Sequence, residues 1–306
     1  MIFDEPLANP NGIALNDMVR QRTWAEVVDR AWRIANLLRT EVGLRPDDHA
    51  AFLLENRAEC AELMMGAFLA GVWMTPVNRH LQADELAYVV ADSNCRVLFA
   101  DAEHEATARS SSAPSVVLVG NELERLIDLA SGKPLPLDGP AGGAMIYTSG
   151  TTGRPKGVKR ARPHELGAML EGVASSGRAF GLDGSGPHLV TGPLYHAAPL
   201  LFALYDHLNG APLIIMPRWD EMQALLLIQE HGIEHTHLVP TMFVRLLRLP
   251  EDIRQGFDPG SLHLVLHGSA PIARSVKQQM MDWWGPIVVE YWGATESGSC
   301  TLISSE

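Results

Sequence analysis

Tyr147-Thr148-Ser149-Gly150-Thr151-Thr152-Gly153-Arg154-Pro155-Lys156-Gly157 is the stretch on which the reading of this chain turns. Ala144 to Tyr147 reads as a strand, so the loop leaves the edge of a sheet and leads toward a helix. Adjacent hydroxyl and glycine residues let the backbone fold tightly and aim several N–H groups at one centre, which makes a nest for phosphate oxygens. Lys156 adds a mobile positive charge. A flexible Gly/Thr linker shares this composition but has no reason to carry a Pro155-Lys156-Gly157 tail. The loop is not a Walker A sequence, because Gly157 follows Lys156 where Ser or Thr would hold magnesium, and it is not a dinucleotide G-x-G-x-x-G.

Outward from the loop, the chain alternates short apolar runs with amphipathic ones. On the N-terminal side, Trp24, Val27, Val28, Ala31, Ile34, Ala35 and Leu38 follow three-and-four spacing, and Thr23 with Glu26 reads as a capping box. Strands are predicted near His49–Leu54, Trp73–Val77, Arg96–Ala100 and Val116–Val119. Helices are predicted from about Arg57 to Ala70, stopped by Gly71, then Ala83–Ser93 and Leu123–Ala130. Beyond the loop, helices fall near Glu165–Phe180, Asp220–His231, Thr241–Leu247 and Ala273–Trp284. The strands between them lie near His188–Thr191, Pro212–Met216, His235–Val239, Leu262–His267 and Ile287–Glu290. Ser185 to Tyr205 reads as a loop-and-strand segment because of its prolines and glycines. This order argues for an α/β fold of βαβ units, with parallel sheets covered by helices on both faces.

The 306 residues suggest about two domain-sized units. A net charge of −12 disfavours nucleic-acid backbones and anionic lipid surfaces, although one local site can still hold a small anion. Cys60, Cys95 and Cys300 are too few and too scattered for a disulfide framework or a metal knuckle. The N-terminus lacks a secretory signal, and the apolar run Leu63–Val77 is short of the ~20 residues that span a bilayer. The expectation is a soluble cytoplasmic protein with no integral membrane segment.

Thr148 to Lys156 resembles the phosphate loop of the adenylate-forming superfamily, which includes acyl-CoA and aryl-CoA synthetases, firefly luciferase and peptide-synthetase adenylation domains. Other segments resemble its signatures in order. These are Arg22-Thr23-Trp24-Ala25-Glu26, Phe68 to Asn78, Pro193-Leu194-Tyr195-His196-Ala197-Ala198-Pro199, Val239-Pro240-Thr241, Gly268-Ser269-Ala270-Pro271 and Tyr291-Trp292-Gly293-Ala294-Thr295-Glu296. The resemblance is to an AMP-binding acyl-CoA synthetase or fatty-acid–CoA ligase over essentially the whole chain. It implies one incomplete N-terminal domain over 1–306, with one subdomain over about 48–180 and the other over about 1–47 plus 188–306.

The implied chemistry is attack of a carboxylate on the α-phosphate of ATP to give acyl-AMP, then thioester formation with coenzyme A. Glu296 would hold Mg2+, and Thr295 would donate to a phosphate or to the substrate carboxylate, although Thr-Glu can also be an ordinary turn. Lys156, Thr295, Glu296 and His196 are the implied catalytic set, with His196 gating the nucleotide and acyl pockets. Thr148 to Gly153, Lys156, Gly268 to Pro271, Tyr291, Trp292, Gly293 and Thr295 would line the nucleotide. Tyr291 and Trp292 offer flat faces for adenine or are simply core, and Trp292 stands where the motif usually has tyrosine. Gly268, Ala270 and Gly293 lack bulk, as expected where a ligand passes close to backbone. Lys159, Arg160 and Arg162 either favour ATP or form a solvated basic turn. His231, His235 and His237 could suggest zinc, but a helix end and a strand seldom bring such a spacing together.

Leu200-Leu201-Phe202 favours a hydrophobic acid. Amino-acid adenylation is the alternative, yet Tyr195-His196-Ala197 supplies no aspartate for a substrate ammonium. A non-catalytic nucleotide-binding fragment is a further alternative. The resemblance also implies a ribose-gripping aspartate, a β-barrel subdomain, a hinge and a lid carrying a lysine, all beyond the segment that runs from Cys300 to Glu306. On that reading the chain binds ATP weakly and adenylates little on its own.

Overall fold

The computed structural model describes residues 8–148 and 154–305. Two sheets organise it, and chain order explains how they interleave. The strands β1 (Ile13–Asn16) and β2 (Gln21–Thr23) open the chain, and the helix α1 (Trp24–Asn36) follows. Thr23 caps α1 as expected: its Oγ1 accepts from the Glu26 N–H at 3.3 Å, while its own N–H donates to Glu26 Oε2 at 2.7 Å. A π-helical turn over Leu37–Glu41 ends the segment.

The chain then builds a six-stranded sheet from β3 (His49–Leu53), β4 (Trp73–Pro76), β5 (Cys95–Ala100), β6 (Val116–Leu118), β7 (Gly143–Thr148) and β8 (Lys156–Lys159), in the order β6-β5-β3-β4-β7-β8. All pairings are parallel except β7 with β8. Its helices are α2 (Ala58–Ala70), α3 (Ala83–Asp92), α4 (Glu105–Ser110) and α5 (Asn121–Leu129). Every residue of β3 and of α2 is buried, so neither has a solvent-facing side, and the polar side chains they carry, His49, Glu59 and Glu62, are buried among apolar neighbours. A Cβ on Gly66 would lie 2.3 Å from Ile34 Cγ2, so the missing side chain lets α1 sit close against α2.

After α6 (Leu166–Ala179) the chain returns to the other sheet, which holds β9 (His188–Val190), β10 (Leu213–Ile215), β11 (His235–Leu238), β12 (Leu264–His267), β13 (Val288–Ala294) and β14 (Gly298–Ile303). Together with β1 and β2 it runs β14-β13-β12-β11-β9-β10-β1-β2. The intervening helices are α7 (Ala197–His207), α8 (Glu221–His231), α9 (Pro240–Leu247), α10 (Glu251–Gly256) and α11 (Arg274–Trp284). The architecture is therefore α/β with two parallel-rich sheets and flanking helices.

Two local expectations change. The segment after the glycine-rich loop does not run on to a helix: Lys156–Lys159 forms β8 and folds back antiparallel on β7, pairing Lys156 with Thr148, so β7 is not the sheet edge. Ser185–Tyr205 is not wholly loop and strand, because Ala197–His207 is helical. Pro199 sits in the first turn of that helix, where its missing N–H leaves no intrahelical bond unmade.

Asn56 ties the sheets together. Its Nδ2 donates to the carbonyls of Gly192 (2.9 Å) and Met216 (3.0 Å), and its Oδ1 accepts from Leu194 N–H at 2.9 Å. Asn56→Ala strands three buried backbone groups at once. We expect it to cost about 2–3 kcal/mol in chemical denaturation, and a loss under 0.5 kcal/mol would show that water replaces the amide.

Candidate functional site

A cavity of about 1020 Å³ is lined from both sheets at the carboxyl ends of their parallel strands. Pro76 ends β4 and Val77 follows it, Gly192 and Pro193 follow β9, Val239 follows β11, and Ser269 follows β12. Open α/β sheets place ligands at such strand ends, where loops and free backbone groups collect.

On one wall, Tyr147 and Thr148 end β7 and face the cavity. The strand is held from α3, since Tyr147 Oη donates to Asp92 Oδ2 at 2.6 Å and Tyr88 Oη donates to the Pro155 carbonyl at 3.1 Å. Burial, reinforced by the neighbouring Asp92 carboxylate, pushes the Tyr147 hydroxyl well above its ordinary pKa, so it stays a donor. Lys156 opens β8, is exposed and does not line the cavity. Ser149, Gly150, Thr151, Thr152 and Gly153 lie outside the described residues.

On the facing wall, Thr295, Glu296 and Ser297 make the turn between β13 and β14. Thr295 lines the cavity and Glu296 is exposed beside it. Single carboxylates with phosphates commonly suffice for Mg2+, so an exposed carboxylate next to a cavity-lining threonine fits an ion carried on a nucleotide. Among the described residues no three His, Cys, Asp or Glu side chains form a metal-holding group. His231, His235 and His237 do not converge: His231 ends α8, His235 Nδ1 meets Asp206 Oδ2 at 2.8 Å, and His237 Nε2 meets Tyr291 Oη at 3.0 Å.

The floor of the cavity is a polar relay that the sequence did not reveal. Tyr291 Oη bridges His237 Nε2 and Ser269 Oγ, the latter at 3.1 Å. Burial holds His237 down to about 3, so the imidazole is neutral and shares one proton with the phenol. Ser269 occupies the left-handed region with φ 66°, a costly conformation for serine that aims its side chain at Tyr291. Phe202 packs edge-on against the Tyr291 ring at 5.0 Å.

The remaining sequence candidates are spread around this floor. Tyr291 is buried and lines the cavity, whereas Trp292 is 68% exposed and does not. Gly293 lines it; Gly268, Ala270 and Pro271 do not. At two of the glycines the protein itself leaves no room for a side chain: a Cβ on Gly268 would lie 2.7 Å from the Tyr291 ring, and one on Gly293 would lie 2.2 Å from the Gly298 carbonyl. His196 occupies the N-cap position of α7, its ring lies 4.5 Å from the Tyr195 ring at a tilt of 52°, and it borders the cavity. The surrounding wall strips enough water from His196 to hold its pKa below the ordinary value.

The family described as AMP-binding enzyme matches residues 3–306. The chain belongs to that family. It is 30% identical over 302 residues to a feruloyl-CoA synthase of Amycolatopsis sp, covering 96% of this chain and 58% of the relative. It is 28% identical over 294 residues to the long-chain-fatty-acid–CoA ligase FadD13 of Mycobacterium tuberculosis, covering 93% and 57%. The chain thus spans less than three fifths of either relative. The inhibitor-bound N-terminal domain of FACL13 from Mycobacterium tuberculosis shares its fold, with a TM-score of 0.85 at 23% identity over 99% of this chain and 77% of that one. These AMP-binding relatives carry aryl and fatty names alike, so membership fixes the family and leaves the acid open. No helix among the described residues is long and apolar enough to cross a membrane.

Proposed function

We propose that this chain forms the ATP- and acid-binding part of an AMP-forming acid–CoA ligase, with the 1–306 region acting as two subdomains around the shared cavity. The observation that carries this reading is that Thr148, His196 and Thr295, from three separate motifs, border one cavity. Leu201, Phe202, Val239 and Met242 give that cavity an apolar wall, which suits a hydrophobic acid. No Asp or Glu is among the described lining residues, so nothing there would hold the ammonium of an amino acid.

The chemical obstacle is electrostatic, because one anion must approach a polyanion. The carboxylate is already ionised at pH 7, so no general base is required. Lys156 and the N–H groups around the loop would gather the phosphates, while Thr295 orients an oxygen at the cavity wall. Mg2+, held by Glu296 when bound, would supply charge neutralisation on the phosphates. Coenzyme A would then accept the acyl group. Cys60, Cys95 and Cys300 are free thiols, in keeping with a reducing cytoplasm.

Isothermal titration tests the reading. We expect ATP to bind and a non-hydrolysable acyl-AMP analogue to bind at least tenfold tighter, because it fills the apolar wall as well. Absence of heat with both compounds would sink it, and comparison of alkyl with aryl analogues reads the acid class.

A further inference from the structure

Three cations, Lys159, Arg160 and Arg162, follow the glycine-rich loop, and the fold separates them. Lys159 Nζ lies 5.0 Å from the Trp73 ring centre, and the Arg162 guanidinium lies 3.8 Å from it. Arg162 also donates to the Ala141 carbonyl at 2.7 Å and pairs with Asp47 at 2.8 Å. Both are engaged in packing the rim of the sheet. Arg160 turns the other way, as neighbouring positions along an extended segment do.

Arg160 is the only Lys, Arg, Asp or Glu among the described residues that line the main cavity. Its Nε donates to the Thr295 carbonyl at 2.7 Å, and the guanidinium also reaches the Tyr205 hydroxyl, but no carboxylate among the described residues pairs with the fork. The same side chain borders a second cavity of about 310 Å³, walled by Phe68, Met169 and Leu204. Arg160 therefore stands at the junction of the two cavities, beside the turn that presents Thr295 and Glu296. A guanidinium without a counter-charge in a half-buried site is costly unless a ligand supplies the anion. Its planar fork suits the paired oxygens of a carboxylate or a phosphate.

We propose that Arg160 is an oxyanion-binding residue of this cavity, its unpaired positive charge gripping either the carboxylate of the acid or a phosphate oxygen of the nucleotide. The proposal rests on the acid-activating reading of the site. It adds a charge contact that places the reacting anion against Thr295, through the same residue that braces the Thr295 carbonyl.

The test titrates wild type, Arg160→Gln and Arg160→Lys with ATP and, separately, with a panel of carboxylates from acetate to dodecanoate plus benzoate. Arg160→Gln is expected to weaken one arm by about 10- to 100-fold, the loss of a charge-assisted hydrogen-bonded pair. Arg160→Lys should recover part of that loss. Weakened ATP binding identifies the anion as phosphate, and weakened acid binding identifies it as carboxylate. The salt dependence of the affected arm should flatten in Arg160→Gln, which a purely bracing role would not produce. Thermal melting of both variants separates misfolding from lost contact. ATP and acid affinities within twofold of wild type in Arg160→Gln overturn the proposal, as does unchanged ATP affinity when no acid in the panel binds. Wild type that binds neither ATP nor any acid instead overturns the functional reading itself.

Discussion

Lowering the pH from 7 to 4 is expected to unfold this protein while many of its carboxylates are still ionised. The cause is four buried, neutral histidines. Burial holds His49, His207 and His267 down to about 4 and His237 down to about 3. All four are under 10% exposed. Among the described residues His49 Nδ1, His207 Nε2 and both ring nitrogens of His267 have no hydrogen-bond partner, and the Glu290 carboxylate stands 3.9 Å from His267 Nε2, beyond hydrogen-bond reach, so an added proton would be poorly compensated. In the unfolded chain the same imidazoles titrate near 6.5. Between those limits the unfolded state binds more protons, so stability rises with pH and is lost as pH falls from about 6.5 toward 4.

Each unit of separation is worth about 1.4 kcal/mol, and four histidines separated by two units or more sum to on the order of 10 kcal/mol. That is comparable with the whole stability of a typical domain. The His188–Asp206–His235 cluster works partly against this trend. Asp206 Oδ2 accepts from His188 at 2.9 Å and His235 at 2.8 Å, and those contacts hold its carboxyl down to about 2 against the cost of burial. The Asp206 contribution is thus intact above about 4 and fails only as pH drops toward 2. His235 is raised by Asp206 in spite of burial, so its contribution is present below about 6.5 and fades as pH rises. One raised histidine does not offset four lowered ones. Denaturant midpoints followed by circular dichroism from pH 7 to 4.5 should fall steeply, with several protons taken up on unfolding. His207→Phe, which keeps the stack on Trp24 now at 4.6 Å, should lose less stability over that range than wild type. Flat midpoints would refute the account.

The parts of the fold written in local sequence were legible, and those that depend on partners were not. The capping box at Thr23, the Gly71 stop in the left-handed conformation and the apolar run of β3 are decided within a few residues. Lys156–Lys159 carries no apolar alternation, and it is a strand only because β7 offers it an edge. Of the prolines that argued against a helix near residue 200, Pro199 sits in the first turn, which tolerates it, and Pro193 lies ahead of the helix. The site divides in the same way. Motifs marked the loops around the cavity, but which of three successive cations faces it depends on Trp73 and Thr295, far away in the chain. The His237–Tyr291–Ser269 relay joins two strands and the loop after a third, and although each residue stood in a stretch the sequence marked, nothing local announced that they meet.

Arg30→Met is expected to cost about 3–5 kcal/mol, because it breaks a buried charge network at the joint between the sheets. Arg30 on α1 meets both oxygens of Glu62 on α2, through Nε at 2.9 Å and Nη2 at 2.8 Å. It also holds Glu124 on α5, through Nη1 at 2.7 Å and Nη2 at 3.0 Å. Glu62 is fully buried, and burial pushes its carboxyl above the usual range while Arg30 pulls it back. Without Arg30, the closest remaining cation is Arg22 at 3.5 Å, and the Glu62 carboxyl rises further. An acid raised in the folded state is stable when protonated and loses stability as pH climbs, so the deficit relative to wild type should be larger at pH 8 than at pH 5.5. The histidine contribution is common to both proteins and cancels in that difference. Arg30→Met combined with Glu62→Leu removes the stranded charge and should recover most of the loss, as buried ion pairs replaced by apolar groups generally do. A single Arg30→Met variant within 1 kcal/mol of wild type at both pH values would show that water or Arg22 already carries the charge, and that α1 is held on α2 by apolar packing alone.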